Sequence, residues 1–529
     1  MDHRVARGRG EVLVAACWIV ASGAALIALV GPMFARSFIR EKPYEESAFL
    51  LALQQRQPAG SESAVVWTEH GPAAYLLFDG VCALANDVDR GLLRLVNAVL
   101  YFGAFLVLGG FLSSGAARAG AASARPAKVA CGITVALATF ASTLLLVNAA
   151  RVGAEALTYL AFVALLWSAS RSIEAPSPLA WLSAALSSLV VAWAHAYGPL
   201  LAFCVLVPAA ALAAWRQSGT RRPDGDWRYA ACVLPAIAVG IALTLFAGFS
   251  SVQTRYESLV GHYWATPLSG DEGYFPLASL WSASSSVFVG RQWIEEALQA
   301  TAVVAALLGV FVPGMPARTR LCGAAMLLSV TGLVLGDKWI EGDLAIQSFF
   351  GCHWILAVSA IYTTARSLLG KEAPLLVAVL ASLVFTVPAL IATTAPALRG
   401  DQMLREAAAH IAEMAEGADV VLFAGSRTYV LFAPDLPPEV LDKSAVYFRE
   451  GMSPDIFTGR TLVPRERRKS LSDLPALAGQ RIVYVQLEAA QTVRLDFSSW
   501  AREDYELMYH PCNSLGEIYI ARFTGNADK

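Results

Sequence analysis

The hydrophobic positions of the chain are grouped into long runs that carry almost no charge. A helix needs about 20 apolar residues to cross a bilayer, and about eleven runs approach or reach that length. The predicted spans are residues 11–33, 91–113, 128–148, 152–170, 178–194, 196–215, 229–249, 297–314, 319–336, 347–366 and 373–395. Only residues 149–151 and residue 195 separate the spans beside them, which predicts tight antiparallel hairpins. The pattern is typical of a polytopic α-helical membrane protein.

The polar pattern changes near residue 400, which predicts two domains, residues 1–397 and residues 398–529. Residues 401–416 are expected to form an amphipathic helix, and four apolar stretches are expected to form strands. The predicted strands are 418–425, 480–488, 505–510 and 516–523. The Pro- and charge-rich stretch 430–475 is expected to be loop-like, and AGSRT (424–428) to be a plain turn. The second domain is therefore a small soluble α/β domain.

Basic residues indicate the orientation, because Lys and Arg collect in cytoplasmic loops. The first apolar run is longer than the core of a cleaved signal peptide, so it is interpreted as an anchor with a cytoplasmic N-terminus. The loops predicted to be inner then hold Arg118, Arg125, Lys128, Arg171, Arg216, Arg221, Arg222, Arg228, Arg318, Arg320, Arg366 and Lys371. Eleven crossings place the C-terminal domain outside, in the periplasm if the membrane is a bacterial inner membrane. Two long outer loops, 34–90 and 250–296, carry charge and aromatic residues suited to a membrane interface.

Composition narrows the function classes. The 529 residues are 56% hydrophobic and 16% charged, whereas a soluble domain has about 25% charged residues. The net charge is −2, so nothing predicts a nucleic-acid partner, and no CxxC or Cys/His metal spacing is present. The expected contacts are membrane lipids and a substrate that lies at the membrane surface.

The ionisable residues of the spans collect at their predicted outer ends. Arg94, Arg151, Glu155 and His195 all lie there, with Arg151 and Glu155 spaced to share one helix face. An ion pathway would place such groups near mid-membrane. The sorting to one side is instead expected of an enzyme whose lipid-linked substrate has its headgroup at that surface.

A carboxylate pair, Glu45 and Glu46, follows the first span in REKPYEESAFLL. One interpretation is an interfacial amphipathic helix with an acidic first turn, which Pro43 and the helix macrodipole favour. The other is a carboxylate that takes a proton from an acceptor hydroxyl or holds a metal ion. The sequence leaves both open.

The order of these elements resembles the integral-membrane GT-C glycosyltransferases, specifically the protein-mannosyltransferase and aminoarabinose-transferase branch. The matched segments are Glu45-Glu46, His70-Gly71-Pro72-Ala73-Ala74-Tyr75, Arg94-Leu95-Val96, Ala149-Ala150-Arg151 and Ala194-His195-Ala196-Tyr197. The resemblance covers residues 11–215, and the later spans match by topology. The first acid is usually Asp in the family and is Glu45 here. A late Arg-Tyr pair is absent from SFFGCHW (348–354).

The resemblance implies transfer of a sugar from a polyprenyl-phosphate donor to a glycan, lipid or protein acceptor at the outer face. Glu45 would be the general base or a metal ligand, with Glu46 beside it. Arg151, Arg94 and Lys338 would bind the donor phosphate, with Arg255 or Arg291 as alternatives to Lys338. His70, Tyr75, His195 and Tyr197 would line the substrate pocket. A divalent metal ion is the one cofactor left open.

Two rival functions remain. A transporter would show internal repeats and helices broken by Gly or Pro at the midplane, and the sequence shows neither. A membrane-anchored sensor whose residues 401–529 bind a ligand would leave the polar outer ends of the spans without a purpose. Snorkelling anchors are the alternative role for Arg94 and Arg151, and hydrogen-bonded packing is the alternative for His195 and His353.

Overall fold

The computed structural model of the chain describes just over half of its residues. They are residues 20, 22–24, 43–55, 72–114, 125–142, 145, 149, 152–175, 177–195, 198–219, 292–335, 346–368, 400–447, 463, 467–469, 477, 479–487, 500–509 and 517–525. The predicted spans 229–249 and 373–395, and most of 11–33 and of the loop 250–296, lie outside them.

Helices form the N-terminal part. They are α1 (Pro43–Gln55), α2 (Pro72–Ala85), α3 (Arg90–Ser113), α4 (Arg125–Phe140), α5 (Glu155–Glu174), α6 (Pro178–Ala194), α7 (Gly198–Gly219), α8 (Gln292–Phe311), α9 (Ala317–Leu335) and α10 (Ile346–Leu368). Helices α3 to α10 correspond to predicted spans. Of the described helices, α3 and α5 are long and apolar enough by length and composition to cross a membrane, and several others are apolar but shorter. The total of about eleven spans stays a prediction.

Exposed apolar side chains form stripes on the outside of the bundle. On α3, Leu95, Val99 and Leu106 are half-exposed and share one face, and on α6 Leu179 and Leu186 do the same. Soluble proteins rarely expose contiguous apolar surface of this kind, whereas lipid accommodates it. The stripes therefore agree with a bundle that faces lipid.

Helix α4 is shorter than its predicted span 128–148. It ends at Phe140, and residues 141–142 form a turn. The Tyr101 hydroxyl of α3 donates a hydrogen bond to the Phe140 carbonyl. A carbonyl that is satisfied from outside its helix does not need the next turn, which explains how a continuous apolar run contains a helix end.

Helix α10 approaches α5 closely at a glycine. A Cβ built on Gly351 would lie 2.4 Å from the Tyr159 hydroxyl oxygen, closer than any real contact. Tyr159 is fully buried, so it has little space into which it can move. Small residues at helix crossings allow this approach in membrane bundles, where van der Waals packing carries much of the association.

Arginines tie together the helix ends on one side of the bundle. Arg318, at the start of α9, donates hydrogen bonds to the Phe111 carbonyl (2.7 Å), Ser170 Oγ (3.1 Å) and Glu174 Oε2 (2.9 Å). These partners lie at the C-terminal ends of α3 and α5. Arg366, near the end of α10, donates to a carbonyl at the same end of α3. All of these helix ends were predicted to lie on the cytoplasmic side, and the structure places them together at one end of the bundle. The side of the membrane that this end faces stays a prediction.

The C-terminal part is a small α/β unit. Helix α11 (Gly400–Met414) leads into a six-stranded sheet of order β3-β2-β1-β4-β6-β5. The strands are β1 (Val420–Ala424), β2 (Ser444–Tyr447), β3 (Arg468–Lys469), β4 (Arg481–Leu487), β5 (Trp500–Tyr509) and β6 (Glu517–Gly525). Strands β3, β2, β1 and β4 are parallel neighbours, and β6 and β5 are antiparallel additions. The predicted helix and four predicted strands are confirmed.

Two predictions for this domain are wrong. The stretch 430–475 is not wholly loop-like, because it contains α13 (Pro438–Asp442), β2 and β3. Pro434 and Pro438 stand in the first turns of helical segments, where a missing N–H costs nothing. AGSRT is more than a plain turn, since Gly425 (φ 93°) links β1 directly to helix α12 (Ser426–Phe432).

One of the hydrophobic clusters spans the two parts. Phe49, Leu50, Leu51 and Leu53 of α1, together with Tyr75, Phe78 and Leu93, belong to the same buried cluster as the inner face of the sheet and helices α11 and α12. Helix α1 is therefore not the one-sided interfacial helix that its pattern suggests, because its apolar residues are buried on several sides. It lies between the bundle and the C-terminal domain.

Candidate active site

Helix α1 carries the carboxylate pair in its first turn. It begins at Pro43, whose fixed φ suits a helix start, and the acids follow where the macrodipole favours negative charge. The backbone of Glu45 is part of this helix, whereas its side chain is outside the described atoms. The Glu46 side chain is described and is 96% buried, since only 4% of its surface is exposed.

Glu46 and Arg94 form a buried ion pair between α1 and α3. Arg94 Nε donates to Glu46 Oε1 and Nη2 donates to Oε2, each at 2.8 Å. This two-point geometry matches the guanidinium fork to the carboxylate and fixes both side chains. With 5% of its side chain exposed, Arg94 does not snorkel toward a membrane surface as a lipid-facing anchor would. The pair is the best-defined charged feature at this end of the bundle.

Asn97 extends the polar face of α3 by one turn. It lies three residues after Arg94, so the two side chains occupy the same side of the helix. Its Nδ2 donates to the carbonyl of Ala149 at 3.4 Å, and the residue is fully buried. Sequence reasoning missed Asn97, although a polar residue one turn from Arg94 in an otherwise apolar span was a usable signal.

Glu155 is a second buried carboxylate at this end. It opens helix α5, where negative charge is favoured, and only 4% of the residue is exposed. Residues 152–154 are not helical, so the prediction that Arg151 and Glu155 share one helix face is wrong. Helix α5 begins after its N-cap, Ala154. A spacing of four residues that crosses this helix start therefore does not place two side chains on one helix face. Gly153 leaves room for the carboxylate, because a Cβ there would lie 2.2 Å from Glu155 Oε2.

His195 lies at the same end of the bundle. It follows α6 directly, and its carbonyl accepts a hydrogen bond from the Gly198 N–H at 2.9 Å, which closes the predicted tight turn into α7. Helix α6 follows α5 after a short connection, so the end of α6 lies beside the start of α5. His195 is 97% buried, since 3% of it is exposed. It is therefore a core residue of this turn rather than a surface group.

Tyr75 of α2 joins the site through α1. Its ring packs edge-on against Phe49 with centroids 6.4 Å apart, and 8% of the residue is exposed. Burial raises the pKa of the Tyr75 phenol, and the nearby Asp79 and Cys82 raise it further. The phenol therefore stays neutral throughout the physiological range.

Several predicted site residues lie outside the described part of the chain. These are Arg151, Lys338, His70, Tyr197, and the alternatives Arg255 and Arg291. Among the residues that are described, no group of three or more His, Cys, Asp or Glu side chains converges on a possible metal position. The structure thus brings Glu46 and Arg94 together and connects Tyr75 to them through α1.

His353 belongs to a different polar cluster. Its Nδ1 lies 2.8 Å from Ser329 Oγ and its Nε2 lies 3.1 Å from Gln299 Oε1, inside the packing of α8, α9 and α10. The histidine is fully buried. Its hydrogen-bonded packing role is confirmed.

Comparison with known proteins defines the fold. No protein-family model and no curated protein sequence matches the chain. Its helical bundle and C-terminal α/β domain nevertheless have a fold that is known from solved structures. Crystal structures of ArnT from Cupriavidus metallidurans share it, and both are 12% identical in sequence to this chain.

The likeness extends over nearly the whole of both chains. The apo structure aligns with a TM-score of 0.55 over 96% of this chain and 98% of ArnT. The structure of ArnT bound to undecaprenyl phosphate aligns with a TM-score of 0.54 over 95% and 98%. The C-terminal domain is therefore part of the shared architecture and not an appendage of this chain alone.

Proposed function

We propose that the protein is a glycosyltransferase of the inner membrane that moves one sugar from a polyprenyl-phosphate donor to a glycan, lipid or protein acceptor. The observation that carries this proposal is the buried Glu46–Arg94 pair, which sets an acid-bearing helix against the bundle of a GT-C fold. An ArnT structure with this fold holds undecaprenyl phosphate, which supports a polyprenyl-linked donor here.

The two acids have different roles in this proposal. Both oxygens of Glu46 already accept hydrogen bonds from Arg94, so Glu46 is a positioning residue. Glu45, the residue before it on the helix, is the general base. It takes the proton of the acceptor hydroxyl while that oxygen attacks the anomeric carbon with inversion. The bond from that carbon to the phosphate oxygen breaks, and polyprenyl phosphate leaves with the electron pair.

The leaving phosphate gains negative charge and needs fixed cations. Arg151 and Lys338 are the proposed ligands of this phosphate, because Arg94 already donates two hydrogen bonds to Glu46. His70, Tyr75, His195 and Tyr197 line the proposed sugar and acceptor pocket. The N-terminus is cytoplasmic and the domain from residue 398 is periplasmic, which puts this chemistry at the outer face.

A comparison of Glu45→Gln and Glu46→Gln variants tests the proposal in cells. The control is Glu413→Gln, which removes a carboxylate that is 78% exposed and far along the chain from the site. Glu45→Gln should abolish transfer and accumulate the lipid-linked sugar donor, while Glu46→Gln should reduce transfer and Glu413→Gln should leave it unchanged. Normal transfer by Glu45→Gln at normal protein level would refute the general-base assignment.

A metal-dependent role for Glu45 makes a separate prediction. If the carboxylate holds a divalent ion instead of acting as the base, a chelator should stop transfer by the purified enzyme and added Mg²⁺ or Mn²⁺ should restore it. Activity that persists in the chelator leaves the general-base role as the assignment.

A further inference from the structure

Three elements contact one another in a closed triangle around the acid-bearing end of α1. They are helix α1, helix α3 and the segment Tyr429–Asp435 of the C-terminal domain, which we call the docking segment. Each pair of elements is joined by its own polar contact, and all three elements contribute side chains to one buried apolar cluster.

The first side joins α1 to the docking segment. Phe49 and Leu53 of α1 lie in one buried cluster with Tyr429 and Phe432, and all four are 1% exposed or less. Gln54 Nε2 donates to the Pro434 carbonyl at 3.3 Å. Burial of four such side chains holds α1 to the domain along its length.

The second side joins the docking segment to α3. Arg90 Nη2 lies 3.0 Å from Asp435 Oδ2, and the two side chains are 14% and 24% exposed. Arg90 is the first residue of α3 and follows the N-cap Asp89, whose side chain accepts from the Gly91 N–H. Asp435 therefore contacts the first turn of a long helix rather than a loop.

The third side is the Glu46–Arg94 pair between α1 and α3. Arg90 and Arg94 are four residues apart, so they extend from the same face of α3. One helix face thus binds the C-terminal domain with its first arginine and the acid-bearing helix with its second. The position of α1 is over-determined, because moving it requires breaking contacts on two sides at once.

We propose that the C-terminal domain is a positioning element of the candidate active site, with Arg90 and Asp435 as its positioning residues. The domain holds α1 from the side opposite the bundle, so that Glu45 is presented at a fixed depth and rotation. This inference rests on the proposed function for its catalytic consequence, whereas its structural part does not. Because a displacement of about 1 Å can cost about 100-fold in rate, even a modest loosening should lower turnover.

Hydrogen–deuterium exchange of the full-length protein in detergent tests the structural part. Arg90→Gln and Asp435→Asn should each accelerate exchange in α1 about two- to five-fold, the range expected for a partly exposed ion pair, and leave α5 unchanged. Asp442→Asn is the matched control, since that carboxylate is 80% exposed on the same domain and pairs with Arg467 at 3.5 Å. Should either single variant fail to express, Gln54→Ala replaces it with the same expectation.

Rescue and kinetics test the positioning role. The double variant Arg90→Asp with Asp435→Arg restores an ion pair of reversed direction, so it should return both α1 exchange and turnover toward the wild type. The single variants should lower kcat several-fold with little change in KM for the lipid-linked donor, which a general loss of folded protein would not produce.

The outcomes separate this inference from the proposed function. Unchanged α1 exchange in the single variants, or no rescue by the double variant, would overturn the inference even if the protein transfers sugar. Faster α1 exchange, together with no lipid-linked sugar phenotype for any variant including Glu45→Gln, would leave the structural triangle standing and refute the proposed function.

Discussion

The Glu46–Arg94 pair gives the sharpest energetic prediction. Replacing Arg94 with Met keeps most of the side-chain volume and removes the charge, which leaves the Glu46 carboxylate in a site where 4% of it is exposed. Breaking a buried pair from one side costs about 3–5 kcal/mol, because the remaining charge has lost both its hydration and its partner. We therefore expect Arg94→Met to lower the free energy of unfolding by that amount.

The double variant Glu46→Gln with Arg94→Met separates the pair from its surroundings. It leaves no buried charge, so it should be more stable than Arg94→Met alone, with a coupling free energy of about 2 kcal/mol. Equilibrium unfolding in mixed micelles measures all four proteins of the cycle. Arg405→Met is the control, since it removes an exposed arginine and should change stability by less than about 0.5 kcal/mol. Additive single effects, or an Arg94→Met change as small as that of the control, would show that the charges are not mutually dependent.

Two further predictions concern the bundle. Gly351→Ala should destabilise the protein by about 1–3 kcal/mol, because the new methyl group collides with the Tyr159 ring. Gly80→Ala is the control, since a methyl group there meets nothing within 4 Å. A thermal melt in detergent compares the two variants, and equal melting temperatures would contradict the close approach of α10 to α5. Arg318→Met should lower the free energy of unfolding by about 3 kcal/mol or more, because Glu174 and three other acceptors lose a buried hydrogen-bond donor. An unchanged melting temperature would contradict the stabilising role of these contacts.

Elements with a strong local signal were predictable from the sequence. The helices α3, α5, α6 and α7 were found because each is a long apolar run, and of these four α3 and α5 are long and apolar enough to cross a membrane. The strands β1, β4, β5 and β6 were found from their apolar character. Strand β2 was missed because it has only four residues and follows a Pro-rich stretch that suggests a loop.

The candidate site was only partly predictable, because its decisive contact is long-range. Glu46 and Arg94 were each named from the pattern, but their pairing spans 48 residues and no local spacing encodes it. The spacing of Arg151 and Glu155 suggested a helical pair, and the helix start at Glu155 removes that meaning. The burial of α1 under the C-terminal domain was invisible for the same reason, since its partners lie near the other end of the chain.

The distance along the chain between α1 and the segment that covers it has a consequence for biosynthesis. Gln54 and its partner Pro434 are 380 residues apart, so α1 is made long before the surface it packs against. At about 5–20 residues per second, ribosomes need on the order of 20–80 s to synthesise the intervening chain. Throughout that interval Phe49 can pack against Tyr75 of α2, but it and its apolar neighbours lack their partners Tyr429 and Phe432 of the C-terminal domain. The growing protein must shelter them in lipid or with a chaperone, and a message truncated before residue 426 would yield a product that cannot complete this core.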